Sequence, residues 1–146
     1  MSKTARASNS VVISASPEVV FAFFADAEND PRWRSGVASI RRKGDLAVGV
    51  EYEQTVAGPG GRPISADIRV TAYEPPSRVD FEGISGPVRP RGEYRFEPEG
   101  SGTRVTFTLE AELGGLKALV MSGPVQKTMN AEVSALERAK AHLQQD

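Results

Sequence analysis

Val11-Val12-Ile13-Ser14-Ala15-Ser16-Pro17-Glu18-Val19-Val20-Phe21-Ala22-Phe23-Phe24-Ala25-Asp26 is the stretch from which the rest of the chain is read. Its three opening β-branched residues predict a strand. Ser16-Pro17-Glu18 then predicts a helix start, with serine as N-cap, proline at the first helical position and an acid in the electropositive first turn. Val19, Val20, Phe21, Phe23 and Phe24 leave little polar circumference, so this helix is expected to be buried on most sides. Asn29-Asp30-Pro31 stops it, and Pro31-Arg32-Trp33-Arg34 reads as a turn or a short second helix.

Beyond it, from Val37 to about Ala111, strands and turns alternate. Turn chemistry recurs at Lys43-Gly44-Asp45, Gly58-Pro59-Gly60-Gly61, Glu74-Pro75-Pro76, Ser85-Gly86-Pro87 and Glu99-Gly100-Ser101-Gly102. The segments between them have period two: Val50/Tyr52/Gln54/Val56, Ile64/Ala66/Ile68/Val70, Val79/Phe81, Tyr94/Phe96 and Val105/Phe107/Leu109. Their alternate positions are mostly charged, among them Glu51, Glu53, Asp67, Arg69, Glu93 and Arg95. One face apolar and one wet is the pattern of an antiparallel meander, and the turns are too tight for parallel crossovers. The tail returns to helix. Val125, Met129, Val133, Leu136, Lys140 and Leu143 form a stripe near the 3.6-residue period, predicting a helix from Pro124 to Gln145 with a break or kink at Gly123-Pro124.

The chain has 146 residues, room for one domain spanning 1–146, with residues 1–8 expected to be a flexible N-terminus. It contains no cysteine and a single histidine, His142, which removes disulfides, thiolate chemistry, cysteine-based metal sites and a Ser-His-Asp triad. No metal and no cofactor are expected. Eighteen basic against nineteen acidic residues leave a net charge of −1 and no electrostatic footprint for nucleic acid. The longest apolar run, Val19 to Ala25, is far below the roughly 20 residues of a membrane span, so no membrane insertion is expected and the cytoplasm is the expected setting.

The opening stretch, Trp33 after Asp30-Pro31, and Tyr73-Glu74-Pro75-Pro76-Ser77-Arg78 recur together in one superfamily. So do Gly86-Pro87-Val88-Arg89-Pro90-Arg91-Gly92-Glu93-Tyr94-Arg95-Phe96 and Gly102-Thr103-Arg104-Val105-Thr106-Phe107, ahead of a long C-terminal helix. In these the chain resembles the START-like, Bet v 1-like proteins (SRPBCC), in particular the bacterial polyketide cyclase/dehydrase and lipid transport group. The resemblance runs from about Asn9 to Leu143. It implies an α+β helix-grip fold, in which a curved antiparallel sheet of about seven strands wraps a long C-terminal helix around an internal cavity.

Candidate site residues are those with inward parity, together with what the resemblance adds. Trp33 is placed by the resemblance near the cavity mouth, where an indole can stack on a ligand and offer one N–H; the other reading is a core residue beside the first helix. Tyr52, Gln54 and Tyr94 are polar groups on an apolar face. They need partners, supplied either by a ligand or water or by the backbone and neighbouring strands. Ile68, Val70, Phe81 and Phe96 complete the inner wall, with Met121 and Met129 on the helix, where thioethers adapt to varied shapes. Arg89 and Arg91 read as a solvated edge around Pro90. Glu51/Glu53 and Asp80/Glu82 have solvent parity, so no carboxylate is expected to have the raised pKa that acid–base work requires. Gly58-Pro59-Gly60-Gly61 lacks the lysine and following helix of a phosphate loop.

No catalytic residues are expected by match to an established set. The leading expectation is a carrier or sensor that binds a small hydrophobic or amphipathic molecule internally. The alternative is an aromatase/cyclase or dehydratase-type enzyme acting on a substrate held in the same cavity, largely by confinement and orientation. A protein-interaction module is the third reading. Oligomeric state is not legible in the sequence.

Overall fold

The Ser16 side chain accepts a hydrogen bond from the Val19 amide, and the helix it caps, α1 (Pro17–Ala25), presents Val20, Phe21, Phe23, Phe24 and Ala25 to the interior. The computed structural model, which describes residues 2–144, places this helix between a long first strand β1 (Ser2–Ile13) and a 3₁₀ helix, Ala27–Arg32. Then come β2 (Val37–Arg42), β3 (Glu51–Ala57) and the short β4 (Pro63–Ser65), which folds back on β3 alone. The strands β5 (Ile68–Glu74), β6 (Arg78–Gly83), β7 (Arg91–Glu99) and β8 (Gly102–Gly114) follow. Two helices close the chain, α2 (Gly115–Ser134) and α3 (Leu136–Leu143). The sheet is antiparallel and runs β1-β8-β7-β6-β5-β3-β2. Its concave face holds the core, closed by α1 on β7 and by α2 along β1 and β8.

Parity decides which side chains point inward, and the sequence pattern is kept: Tyr52, Gln54, Ile68, Val70, Val79, Tyr94, Phe96, Val105, Phe107 and Leu109 are all buried. The opposite face is a ladder of alternating charge. Lys43 and Arg69 both reach Glu51, and Arg69 reaches Glu82. Glu82 lies opposite Arg91 in the register, and Arg91 and Arg6 both reach Glu110. Each such exposed pair contributes little by itself, but together they oppose a one-residue slip that would bury them.

Three expectations change. Residues 2–8, expected to be flexible, are strand: β1 pairs with β8 without interruption from Ser2 opposite Gly114 to Ile13 opposite Thr103, burying Ala5 and Ala7. The first helix ends at Ala25, before Asn29-Asp30-Pro31, because the Asp26 carboxylate caps the new 3₁₀ turn by accepting from the Glu28 amide. In the tail, α2 continues through Gly123-Pro124, and the break falls at Ala135 instead. Pro124 lies inside the helix on its solvent side, with Gly123 and Val120, four residues before it, also exposed. The stripe still faces inward, with Met129, Val133 and Leu136 buried, and Gln145 lies outside the described residues. Anchors fix α2 along β1: Gln126 Nε2 donates to the Arg6 carbonyl (2.8 Å), and Asn9 Nδ2 donates to the Val133 carbonyl (3.0 Å).

Candidate functional site

Inside this aromatic interior stands a charged centre. Asp30 is on the 3₁₀ helix, and its backbone carbonyl accepts from the amides of both Trp33 and Arg34, which turns Arg34 back over it. Arg34 Nη1 then donates to Asp30 Oδ2 at 2.7 Å and to Gln54 Oε1 at 3.3 Å, while Nε donates to Glu132 Oε2 of α2 at 2.5 Å. One guanidinium thus joins the 3₁₀ helix, the sheet and the long helix. The side chains of Asp30, Arg34 and Glu132 are only 6%, 14% and 20% exposed, so these contacts work in a medium that strengthens them.

Burial has a second consequence. It pushes the Asp30 carboxyl up from 3.8 to about 6, against the pull of Arg34, with Glu132 and Asp26 adding to the rise. Burial opposes the charge on Arg34, but Asp30 and Glu132 outweigh it and hold the guanidinium more firmly protonated than usual. Tyr94 is pushed well above its ordinary range, first by burial and then by the nearby Asp30 carboxyl. Among the described residues, two buried polar side-chain atoms have no hydrogen-bond partner, and both belong to this turn: Asp30 Oδ1, an acceptor, and Trp33 Nε1, a donor. Leaving such atoms unpaired costs about 1–3 kcal/mol each.

The expected site residues divide around this centre. Trp33 is buried edge-to-face against Phe24 and Phe107, and Tyr94 stacks on Phe107 at 4.5 Å. Phe96, Met129 and the half-buried Phe81 belong to the same cluster. Gln54 joins it by its contact with Arg34, and its other end donates to the Ala66 carbonyl at 2.8 Å. Tyr52, Ile68 and Val70 form a second cluster with Ala27, linked through Tyr73 and Phe81. The Tyr52 hydroxyl is satisfied by the protein: it accepts from the Ala27 amide and donates to Asp26, each at 3.3 Å, and burial pushes it up to about 12. Met121 is half-buried on the first part of α2, outside both clusters. The rings of Phe24, Trp33, Tyr94, Phe96 and Phe107 pack on one another, filling interior that the resemblance assigns to a cavity.

Sequence reasoning misses Asp30, Arg34 and Glu132 as site residues, and the expectation that no carboxylate has a raised pKa is overturned at Asp30. The signal is present. An acid and an arginine four residues apart bracket Trp33, and Glu132 adjoins Val133 on the inward stripe. Pro31 hides Asp30, because Asp-Pro reads as a helix stop. Glu51, Glu53, Asp80 and Glu82 do lie outward, each in an ion pair. Among the described residues no group of three or more His, Cys, Asp or Glu is placed to hold a metal, and no helix is long and apolar enough to cross a membrane.

A curled antiparallel sheet gripping a C-terminal helix, with a polar centre in an aromatic interior, defines a START-like, Bet v 1-like helix-grip protein. The chain belongs to the polyketide cyclase / dehydrase and lipid transport family, whose model it matches over residues 4–144. Among solved structures it is similar to the di-domain ARO/CYC BexL from the BE-7585A biosynthetic pathway, with a TM-score of 0.78 and 17% identity. That likeness covers 98% of this chain and 51% of BexL, so the chain spans about half the length of that protein. TTHA0849 from Thermus thermophilus matches with a TM-score of 0.76 and 25% identity over 97% of both chains. The major latex-like protein 151 from Panax ginseng matches with a TM-score of 0.74 and 14% identity over 97% of this chain and 98% of its own. No curated protein matches the sequence.

Proposed function

We propose that this protein binds a small hydrophobic or amphipathic molecule between the sheet and α2, as a carrier or sensor, with the Asp30–Trp33–Arg34 turn holding the ligand's polar group. The observation that carries this reading is the pair of buried, unpartnered atoms, Asp30 Oδ1 and Trp33 Nε1, beside a core of aromatic and aliphatic side chains. A folded chain that leaves both an acceptor and a donor dry has a stability cost that a bound group offsets. The reading puts the apolar part under α2, against the small, buried side chains of Ala5, Ala7 and Ala111 on the paired strands β1 and β8. In the proposal, α2 moves off this wall when the ligand is taken up. Its first part is suited to that movement, since Leu116 and Val120 are 78% and 66% exposed and, among the described side chains, its buried anchors begin at Met129. The proposal places the protein in the cytoplasm, in keeping with a chain without cysteine.

Native mass spectrometry of protein purified without organic solvent tests the reading. A discrete added mass that is released on denaturation supports it. A clean apo mass, together with no uptake from a panel of apolar molecules, contradicts it.

One observation favours the alternative, an enzyme of the aromatase/cyclase or dehydratase type. A buried carboxyl with a pKa of about 6 can give or take a proton near neutral pH, which suits a general acid or base. Under this reading Asp30 transfers the proton while Arg34, itself bonded to Gln54, holds it in place. Product formation that Asp30→Asn abolishes, with ligand uptake intact, separates the enzyme from the carrier.

A further inference from the structure

Resting on the reading of this centre as the place that holds a ligand's polar group, the geometry points to a neutral hydroxyl on a flat apolar frame, and to the rejection of carboxylates and phosphates. An arginine in an apolar interior is ordinarily the natural anchor for an anion. Here two of the three guanidinium nitrogens of Arg34 are engaged: Nε on Glu132, and Nη1 shared between Asp30 and Gln54. Two carboxylates face one guanidinium, so an anionic head group would bring a third negative charge into a site of low dielectric around a single cation.

Among the described residues the buried side-chain atoms without a partner are one acceptor, Asp30 Oδ1, and one donor, Trp33 Nε1, three residues apart on the same turn. The chemistry of the guest follows from that pair. A hydroxyl donates to the first and accepts from the second. A carboxylate or a ketone only accepts, and an ammonium only donates, so each leaves one buried atom unsatisfied. Around the pair the side chains are aromatic: Trp33 and Tyr94 both pack on Phe107, and the proposal has a planar apolar body enter among these rings.

The test is calorimetric titration of the full chain at about pH 7.5 with three probes sharing one ring system: 2-naphthol, 2-naphthoate and 2-methoxynaphthalene. The expected order is 2-naphthol tightest, by about tenfold over 2-methoxynaphthalene, which cannot donate, and by more over the anion. Trp33→Phe, which keeps a ring but removes the N–H, is expected to weaken 2-naphthol about fivefold to tenfold. The comparison among probes needs no variant, so a misfolded Trp33→Phe leaves the test intact. Naphthoate binding as tightly as naphthol overturns the inference, as does an ether equal to the alcohol, which would mean the ring alone is recognised. No binding of any probe also overturns it, while the broader reading then stands or falls by the retained-mass measurement.

Discussion

Replacing Asp30 with asparagine probes the buried centre through its proton. In the folded chain the Asp30 carboxyl ionises near pH 6, and in the unfolded chain near its ordinary 3.8. Between those values the unfolded state has lost its proton while the folded state retains it, so stability falls as pH rises. The contribution is fully present below about pH 3.8 and lost as pH rises through about 6. At about 1.4 kcal/mol for each pH unit separating the two values, the change is about 3 kcal/mol. The asparagine side chain keeps the shape and an oxygen for Arg34 but cannot titrate. Other groups, such as the exposed Glu99 held low by Arg104, are common to both proteins and cancel in the comparison. The assay is urea unfolding followed by the fluorescence of Trp33, the one tryptophan, at about pH 4 and about pH 7. Part of that change is complete by pH 4, so with a urea slope of about 2 kcal/mol/M the wild-type midpoint should fall relative to Asp30→Asn by about 1.2 M across that interval. Parallel pH profiles for the two proteins would refute the burial argument, because Asp30 would then titrate as it does in water.

Gln54→Leu removes the acceptor for Arg34 Nη1 and the donor to the Ala66 carbonyl; a loss of about 1–3 kcal/mol is expected in chemical denaturation, and unchanged stability would show that these bonds do not form. Glu82→Lys puts a third cation beside Arg69 and Arg91 on the convex face. It should lower the urea midpoint by less than about 0.5 M at low salt and by less still near 1 M salt, and a loss that salt does not reduce would contradict the ladder. Gly102→Ala drives a methyl group into the Ile13 carbonyl, backbone that no rotamer can clear. Calorimetry should show a lowered Tm corresponding to about 1–3 kcal/mol, whereas an unchanged Tm would contradict the approach of the two strands.

The fold is legible in the sequence because its signals are local and repeated. Ser16-Pro17 caps α1 as the residues predict, and the alternation from Val50 to Leu109 puts the correct side of each strand inward. Less legible are features set by distant partners. Ser2 to Ser8 has no strand composition of its own and becomes strand because β8 offers it a ladder down to Gly114. Pro124 reads as a break, yet the helix runs through it, whereas the Ser134-Ala135 break has no glycine or proline to announce it. The site is half legible for the same reason. Parity identifies Gln54 and Tyr94 as inward polar groups, but their charged neighbours come from other elements. Asp30 lies behind a proline, and Glu132 is marked only by its place beside Val133 on the inward stripe. Only the tertiary arrangement that sets Arg34, just past the 3₁₀ helix, opposite Glu132 of α2 brings them to one guanidinium.

The most direct test of the central claim is the NMR signal of the Trp33 indole N–H, which a chain with one tryptophan gives as a single side-chain peak. On saturation with the molecule retained through purification, or with 2-naphthol, the peak should move downfield and its exchange with solvent should slow, as Nε1 gains an acceptor. Saturation that leaves this peak unmoved, with shifts confined to another part of the molecule, would contradict the claim that this turn holds the ligand.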